Sequence, residues 1–263
     1  MNIKSLLLGT SLSLIPNLTY AQCAVTDCLQ LGYTSLQKCD NGLKCPFGEY
    51  WACPKAEEKA VLGQCTGYAK NCSVGQILNS DGACTTDRDS GKTPIGVIVY
   101  IGGNNCGQAL ALNDLGEMNW GNYNTSPPDL PIYQKISTAE QDFDSCGNTQ
   151  KFIKYGNSST YPAAWAAINY APSSVSATKG KWCLPAAGVA RSMMNNYDKI
   201  NTGLSKAGGE TLPTKTDQDH WNWSSSMTYY YHYRMWSWNY SLNTLDILNN
   251  NMSTYHVRPV LEF

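Results

Sequence analysis

The residues of this chain that could support catalysis are three histidines and one cysteine in its second half, namely His220, His232, His256 and Cys183. A thiolate beside an imidazole base can act as a nucleophilic catalyst. The chain contains no HExxH or G-x-S-x-G motif and no phosphate-binding glycine motif. Cys183 lies in the apolar stretch KWCLP, which is typical of a small buried residue. We therefore predict no enzymatic activity.

Acidic residues raise the question of a metal site at two places. Asp217, Asp219 and His220 are close in sequence, and Asp142 and Asp144 are separated by one residue. Carboxylates and imidazoles bind cations, but clustered Asp residues in loops more often form turns or face solvent. We predict no metal and no cofactor.

A tyrosine-rich segment, TYYYHYR at 228–234, is the best candidate for ligand binding. Three consecutive tyrosines cannot all face one side of a strand, because side chains alternate, so we interpret the segment as a loop. Tyr offers a large contact area and a hydroxyl at low entropic cost. The polar stretch NNNMSTYH at 249–256 is a second candidate, although Asn and Ser also form turns. The predicted binding residues are Tyr229, Tyr230, Tyr231, His232, Tyr233, Arg234, Asn249, Asn250, Asn251 and Ser253.

These segments belong to a predicted α+β domain. The β-branched run at 95–101 and the stretch at 108–116 predict two strands joined by a Gly-Gly turn. A helix is predicted within 161–172, which has Pro162 at its start. A second helix begins near Ala186, with one apolar face formed by Val189, Met193, Tyr197 and Ile200.

The sequence again predicts strands after residue 220. Trp236, Trp238 and Tyr240 alternate with polar residues, which predicts a strand with one buried face. The C-terminal YHVRPVLEF also alternates, and Pro259 restricts it to an edge strand or to one-sided pairing at that residue. The first and last strands of the domain are expected to lie side by side.

The N-terminus predicts export. Lys4, a short apolar run and the small residue Ala21 form a signal peptide over residues 1–21. Gln22 before Cys23 does not fit a lipid-attachment site, and the sequence contains no other apolar run of membrane-spanning length. We expect a secreted or surface-held protein.

Cysteine spacing predicts the domain organisation. Eight of the eleven cysteines lie between Cys23 and Cys84, which indicates a disulfide-rich spacer over 22–84. Zinc binding is the weaker alternative, because the sequence contains no CxxC pair. A linker over 85–92 and the main domain over 93–263 follow. Cys106 is expected to pair with Cys146, which leaves Cys183 as a free thiol.

Charge excludes one class of partner. Only 15% of the residues are charged and the formal net charge is −1. Nucleic-acid binding needs clustered Lys and Arg, so we expect a different partner.

The motifs GKWCLPAAGV, WSSS and YHVRPVLEF resemble those of exported bacterial proteins that include the C-terminal domain of the Legionella collagen-like adhesin. The resemblance covers about 93–263 and implies a C-type-lectin-like fold with paired terminal strands, two helices and a mixed, mostly antiparallel sheet. The fold also carries retroelement-diversified variable proteins and formylglycine-generating enzymes. Val189 stands where many relatives have Glu, and the calcium motifs Glu-Pro-Asn and Trp-Asn-Asp are absent.

Together these features predict a secreted or surface binding protein that holds a protein or glycan through the Tyr-rich segment. The abundance of Asn, Tyr and Ser between His220 and His256 is typical of retroelement-diversified proteins. The alternatives are an enzyme of the formylglycine-generating type and a structural envelope component.

Overall fold

The computed structural model describes residues 60–263 apart from 66, 123–124, 174, 215, 231 and 249–252, together with three short strands nearer the N-terminus. The chain divides into two compact units, Met1–Glu58 and Lys59–Phe263. In the first unit, β1 (Ala21–Gln22) and β2 (Gln37–Lys38) both pair antiparallel with β3 (Trp51–Cys53). The predicted signal peptide lies outside the described residues except for Ala21.

The second unit contains a six-stranded sheet. Its strands are β4 (Ile77–Asn79), β5 (Cys84–Thr85), β6 (Pro94–Ile101), β7 (Gly107–Ala111), β9 (Trp182–Cys183) and β14 (Val260–Glu262). They are ordered β5-β4-β6-β7-β14-β9, and every neighbouring pair is antiparallel. The β6–β7 hairpin confirms the two strands predicted around the Gly-Gly turn.

A five-stranded sheet completes the second unit. Its strands are β8 (Glu117–Met118), β10 (Trp221–Tyr230), β11 (His232–Asn239), β12 (Thr244–Leu248) and β13 (Tyr255–His256). They are ordered β12-β11-β10-β13-β8, and β10 and β13 are the parallel neighbours. The α+β class is therefore confirmed for the second unit.

Five α-helices lie among the described residues of the second unit. They are α1 (Ile136–Ala139), α2 (Ser145–Tyr155), α3 (Pro162–Asn169), α4 (Ala187–Asn195) and α5 (Tyr197–Ala207). Helix α3 confirms the helix predicted from Pro162. The second predicted helix is broken at Asn196 into α4 and α5, although its apolar residues still share one core cluster. Among the described residues, none of the helices has the length and apolar character needed to cross a membrane.

The five-stranded sheet is buried on both faces. Trp223, Met227 and Met235 belong to one core cluster, whereas Trp236 and Trp238 belong to another. Ser237 and Asn239, which the alternation placed on an exposed face, are fully buried. The expectation of one buried face was wrong, because a second layer of helix and loop covers the polar positions.

The C-terminal strand is not an edge strand, but its pairing at Pro259 agrees with the predicted alternative of one-sided pairing at that residue. β14 lies between β7 and β9, so it is not an edge strand. The first strand of the predicted main domain, β6, is separated from β14 by β7. Pro259 precedes the strand, and its carbonyl accepts a hydrogen bond from Ala111. The missing N–H of proline therefore costs no pairing within the strand.

Three disulfides stabilise the second unit: Cys65–Cys106, Cys72–Cys84 and Cys146–Cys183. The predicted Cys106–Cys146 pair and the predicted free thiol of Cys183 are wrong, because α2 and β9 bring the Cα atoms of Cys146 and Cys183 to 5.0 Å. Residues 60–84 supply β4 and β5 to the larger unit. The division between the two compact units lies at residues 58 and 59.

Candidate functional site

The predicted tyrosine segment forms the tip of the β10–β11 hairpin. Tyr229 pairs with Tyr233, and Tyr230 pairs with His232. Residue 231, between the two strands in sequence, lies outside the described residues. The described residues of the segment therefore belong to the ends of two strands and not to the loop that we predicted.

Exposure changes abruptly along this hairpin. Tyr229 is 45% exposed, whereas Met227 and Thr228, immediately before it, are 1% and 0% exposed. On the other strand Arg234 is half-buried and Met235 is fully buried. Tyr229 therefore exposes an aromatic ring directly beside a packed core.

The second predicted segment is only partly described. β12 ends at Leu248, which pairs with Met235 near the hairpin tip, and residues 249–251 lie outside the described residues. Ser253 is half-buried just before β13, whose His256 pairs with Asn222 at the opposite end of β10. Asn222 precedes Tyr230 by eight residues in β10, which is about 26 Å along the strand at 3.3 Å per residue. The structure does not bring Ser253 and the tyrosines together.

A second cluster of chemically active side chains lies at the end of β10 far from the tip. Asp114 is in the turn between β7 and β8, His220 directly precedes β10, and His256 is in β13. Because β10, β13 and β8 are neighbours in one sheet, their ends bring these three residues together. We call them the His–Asp cluster.

The three side chains of the His–Asp cluster are in close contact. Asp114 Oδ2 lies 3.1 Å from His256 Nδ1 and 3.7 Å from His220 Nε2. The two imidazole rings stack with centroids 3.5 Å apart. They line a cleft of about 390 Å³ with Glu210, Asp217 and Arg258 among its other walls.

The turn that carries Asp114 is held by hydrogen bonds. Gly116 N–H donates to Asp114 Oδ1 at 2.7 Å, which leaves Oδ2 facing the histidines. The amide of Asp114 donates to the Glu210 carboxylate at 3.0 Å. Buried Arg258 donates to the carbonyls of Ala111 and Leu112, where the turn begins. The carboxylate is thereby positioned before any ligand arrives.

Charges in the cluster keep the carboxylate ionised. Burial by itself would raise the pKa of Asp114, but the contacts with His220, the Gly116 amide and the charge of His256 outweigh it and lower the pKa below its usual value. Asp114 therefore offers a charged oxygen at neutral pH.

The other acidic pair that the sequence singled out is structural. Asp142 is 4% exposed and accepts hydrogen bonds from Ser226 Oγ at 2.6 Å and Asn148 Nδ2 at 2.8 Å. Asp144 is the N-cap of α2 and accepts from Gly147 N–H. Both carboxylates therefore accept hydrogen bonds from protein donors.

Replacing Asp142 by Ala is expected to destabilise the second unit by about 2–4 kcal/mol, because buried donors on Ser226 and Asn148 lose their acceptor. Chemical denaturation of the variant measures this loss. The matched control is Asp129→Ala, whose carboxylate is largely exposed and should cost less than about 1 kcal/mol. Equal stability of the two variants would contradict the structural role.

The sequence pointed to His220 as a possible metal ligand, but it did not link His220 to Asp114 or His256. Asp114, His220 and His256 are far apart in sequence, and no motif links them. Asp219, which was considered together with His220, is exposed. The one signal that pointed here was the proximity of Asp217 to His220, and Asp217 Oδ2 does lie 3.8 Å from His220 Nδ1.

Comparisons with known proteins give limited information. The chain matches no protein-family model and no curated protein. It is similar to the crystal structure of a fimbrial protein from Bacteroides ovatus, with a TM-score of 0.49 and 14% sequence identity. The match covers 73% of this chain and 49% of that chain, so the chain spans about half the length of that protein. Similarity at this level carries no functional inference, and it does not show the C-type-lectin-like family.

Proposed function

We propose that this chain is an exported binding protein that holds a protein or glycan ligand on the tip of the β10–β11 hairpin. The observation that carries the proposal is the exposure of Tyr229, 45%, directly beside the fully buried Thr228. An exposed aromatic ring next to a packed core can bury its area against a partner.

The hairpin supports binding because its base is rigid. Trp223 and Trp238 are fully buried on opposite faces of the strand pair. Tyrosines that stand on such a base lose little conformational entropy on binding, and this raises the affinity available from a given contact area. The mechanism is aromatic contact and hydroxyl hydrogen bonding without a chemical step.

The disulfide bonds of the chain are consistent with an extracellular or surface location. All six cysteines whose side chains are described form disulfides, and disulfides persist in oxidising compartments. The same bonds remove Cys183 as a nucleophile, so the formylglycine-generating alternative loses the cysteine that the sequence offered it.

Burial limits which hairpin residues could vary if this chain is a retroelement-diversified protein. Asn222, Ser224, Ser225, Ser226, Ser237 and Asn239 are all buried. Residues without exposed surface cannot vary to fit different ligands, so diversification within the described hairpin would act at its tip.

We retain the C-type-lectin-like fold as part of this proposal, supported by the WCLP, WSSS and VRPV motifs and by the two-sheet architecture.

Replacing Tyr229, Tyr230, Tyr231 and Tyr233 together by Ser is expected to weaken ligand binding by at least about 10-fold, since buried aromatic anchors contribute upwards of 1–2 kcal/mol each. The ligand is first identified with the wild-type chain on a glycan array and by binding to whole cells, which separates glycan from protein ligands. The affinity of each variant is then measured by surface plasmon resonance.

The matched control for this test is Tyr155→Ser, because Tyr155 is 38% exposed and belongs to α2, outside the two strands of the hairpin. It should bind like the wild type. Unchanged binding by the four-tyrosine variant, with an unchanged melting temperature, would refute the proposal.

A further inference from the structure

We propose that Asp114, His220 and His256 bind a divalent first-row transition metal ion, for which Zn²⁺ is the probe. One carboxylate and two imidazoles converge from three segments of the fold, and one ligand atom from each residue lies within 4.8 Å of the others. This proposal is independent of ligand binding by the tyrosine hairpin, which lies at the other end of β10.

The distances suit direct coordination. Zn²⁺ takes nitrogen and oxygen ligands at about 2.0–2.2 Å in tetrahedral geometry, which separates the ligand atoms from one another by about 3.3 Å. Asp114 Oδ2 lies 3.1 Å from His256 Nδ1 and 3.7 Å from His220 Nε2. To hold one ion, the two imidazoles, which stack with their planes 17° apart, must turn so that each nitrogen points at it.

The two nitrogens that face Asp114 have no hydrogen-bond partner. His220 Nε2 and His256 Nδ1 are both buried, and neither donates or accepts a hydrogen bond within the described residues. Unsatisfied buried polar atoms are costly, and each nitrogen that faces Asp114 can offer a lone pair to a cation when its imidazole is neutral. A cation between them satisfies all three atoms.

A carboxylate also faces the far nitrogen of each ring. Asp217 Oδ2 lies 3.8 Å from His220 Nδ1, and Glu117 Oε1 lies 3.6 Å from His256 Nε2. Carboxylates placed behind metal-binding histidines orient the ring and increase its basicity. Both histidines of the cluster have a carboxylate on this side, at distances longer than a hydrogen bond.

The ligand set selects the class of metal. Imidazole ligands suit Zn²⁺, Cu²⁺ and Ni²⁺, whereas Ca²⁺ and Mg²⁺ prefer oxygen ligands throughout. Three protein ligands at the wall of an open cleft of about 390 Å³ leave a fourth position for water or an exogenous donor. The three carboxylates of that cleft, on Asp114, Asp217 and Glu210, outnumber its one guanidinium, on Arg258.

The test is calorimetric titration of Zn²⁺ into the full chain after treatment with a chelator. We expect one site that depends on the cluster and no comparable site for Ca²⁺. His220→Gln and His256→Gln should each weaken the affinity by at least about 100-fold, and Glu117→Gln by about 10-fold. Zn²⁺ should also raise the melting temperature of the wild type by several degrees.

The third histidine supplies the matched control. His232 lies in the hairpin, so His232→Gln should bind Zn²⁺ like the wild type. Melting temperatures measured in chelator establish that the glutamine variants remain folded, and alkylation before titration removes binding by any thiol. Absence of Zn²⁺ binding by the wild type, or binding that survives in the His220→Gln, His256→Gln double variant, would overturn the proposal.

Discussion

Replacing Arg258 by Ala is expected to lower the free energy of unfolding by about 3–5 kcal/mol, because several charge-assisted hydrogen bonds are lost at a buried position. Arg258 is 3% exposed and donates to the carbonyls of Ala111, Leu112, Glu210 and Thr211. Its guanidinium therefore joins the end of β7 to the segment after α5. No other single side chain described in the structure ties these two segments together through so many main-chain acceptors.

Arg258→Lys tests the geometry of this contact separately from its charge. A lysine retains the positive charge but cannot reach several carbonyls in a fixed fork, so we expect most of the loss to remain. The control is Lys154→Ala, whose side chain is 66% exposed and should change stability by less than about 0.5 kcal/mol. Urea denaturation measures all three variants.

The effect should extend to the His–Asp cluster. The carbonyls of Ala111 and Leu112 lead into the turn that carries Asp114, so a folded Arg258→Lys variant should also bind Zn²⁺ more weakly. An Arg258→Ala variant within about 1 kcal/mol of the wild type would show that water replaces the guanidinium at no great cost.

Removing the Cys146–Cys183 disulfide is expected to cost about 3–4 kcal/mol. The bond closes a loop with a sequence separation of 37 residues, and the chain-entropy relation gives about 3.8 kcal/mol for that length. The double variant Cys146→Ser, Cys183→Ser should unfold at correspondingly lower denaturant concentration. Cys183 is also 1% exposed. Burying a serine hydroxyl at that position lowers the free energy of unfolding further.

A second disulfide of the same unit provides the comparison. Cys72–Cys84 has a sequence separation of 12, for which the same relation gives about 2.8 kcal/mol. Its removal should therefore be less harmful by about 1 kcal/mol. Alkylation of Cys183 in the unreduced native protein, detected by mass spectrometry, would contradict the disulfide and restore the free thiol expected from the sequence.

Local sequence signals predicted several elements correctly. Pro162 and the alanines after it predicted α3, and the β-branched run before Gly102 predicted β6. Helix α2 was missed because its buried face is polar. Ser145, Asn148 and Thr149 are buried beside Phe152, so the helix has little apolar periodicity. Their burial is stabilised by hydrogen bonds to Gln108, Asp142 and Leu184.

The tyrosine segment shows how far composition can predict a site. Its unusual residues marked the place where exposure begins, and Tyr229 is exposed. Whether the neighbouring Asn and Ser residues face solvent depended on which layers cover the sheet. Alternation alone predicts two faces and does not reveal that both are covered.

The sequence by itself determined an α+β class, the helix at Pro162, the first strand pair and the position of the tyrosine tip, because each depends on neighbours within about ten residues. The tertiary structure decided the cysteine pairs, the place of β14 between β7 and β9, and the His–Asp cluster. Asp114 and His256 are brought together only when β8 pairs with β13. Contacts of that kind depend on sheet order, which no local pattern encodes.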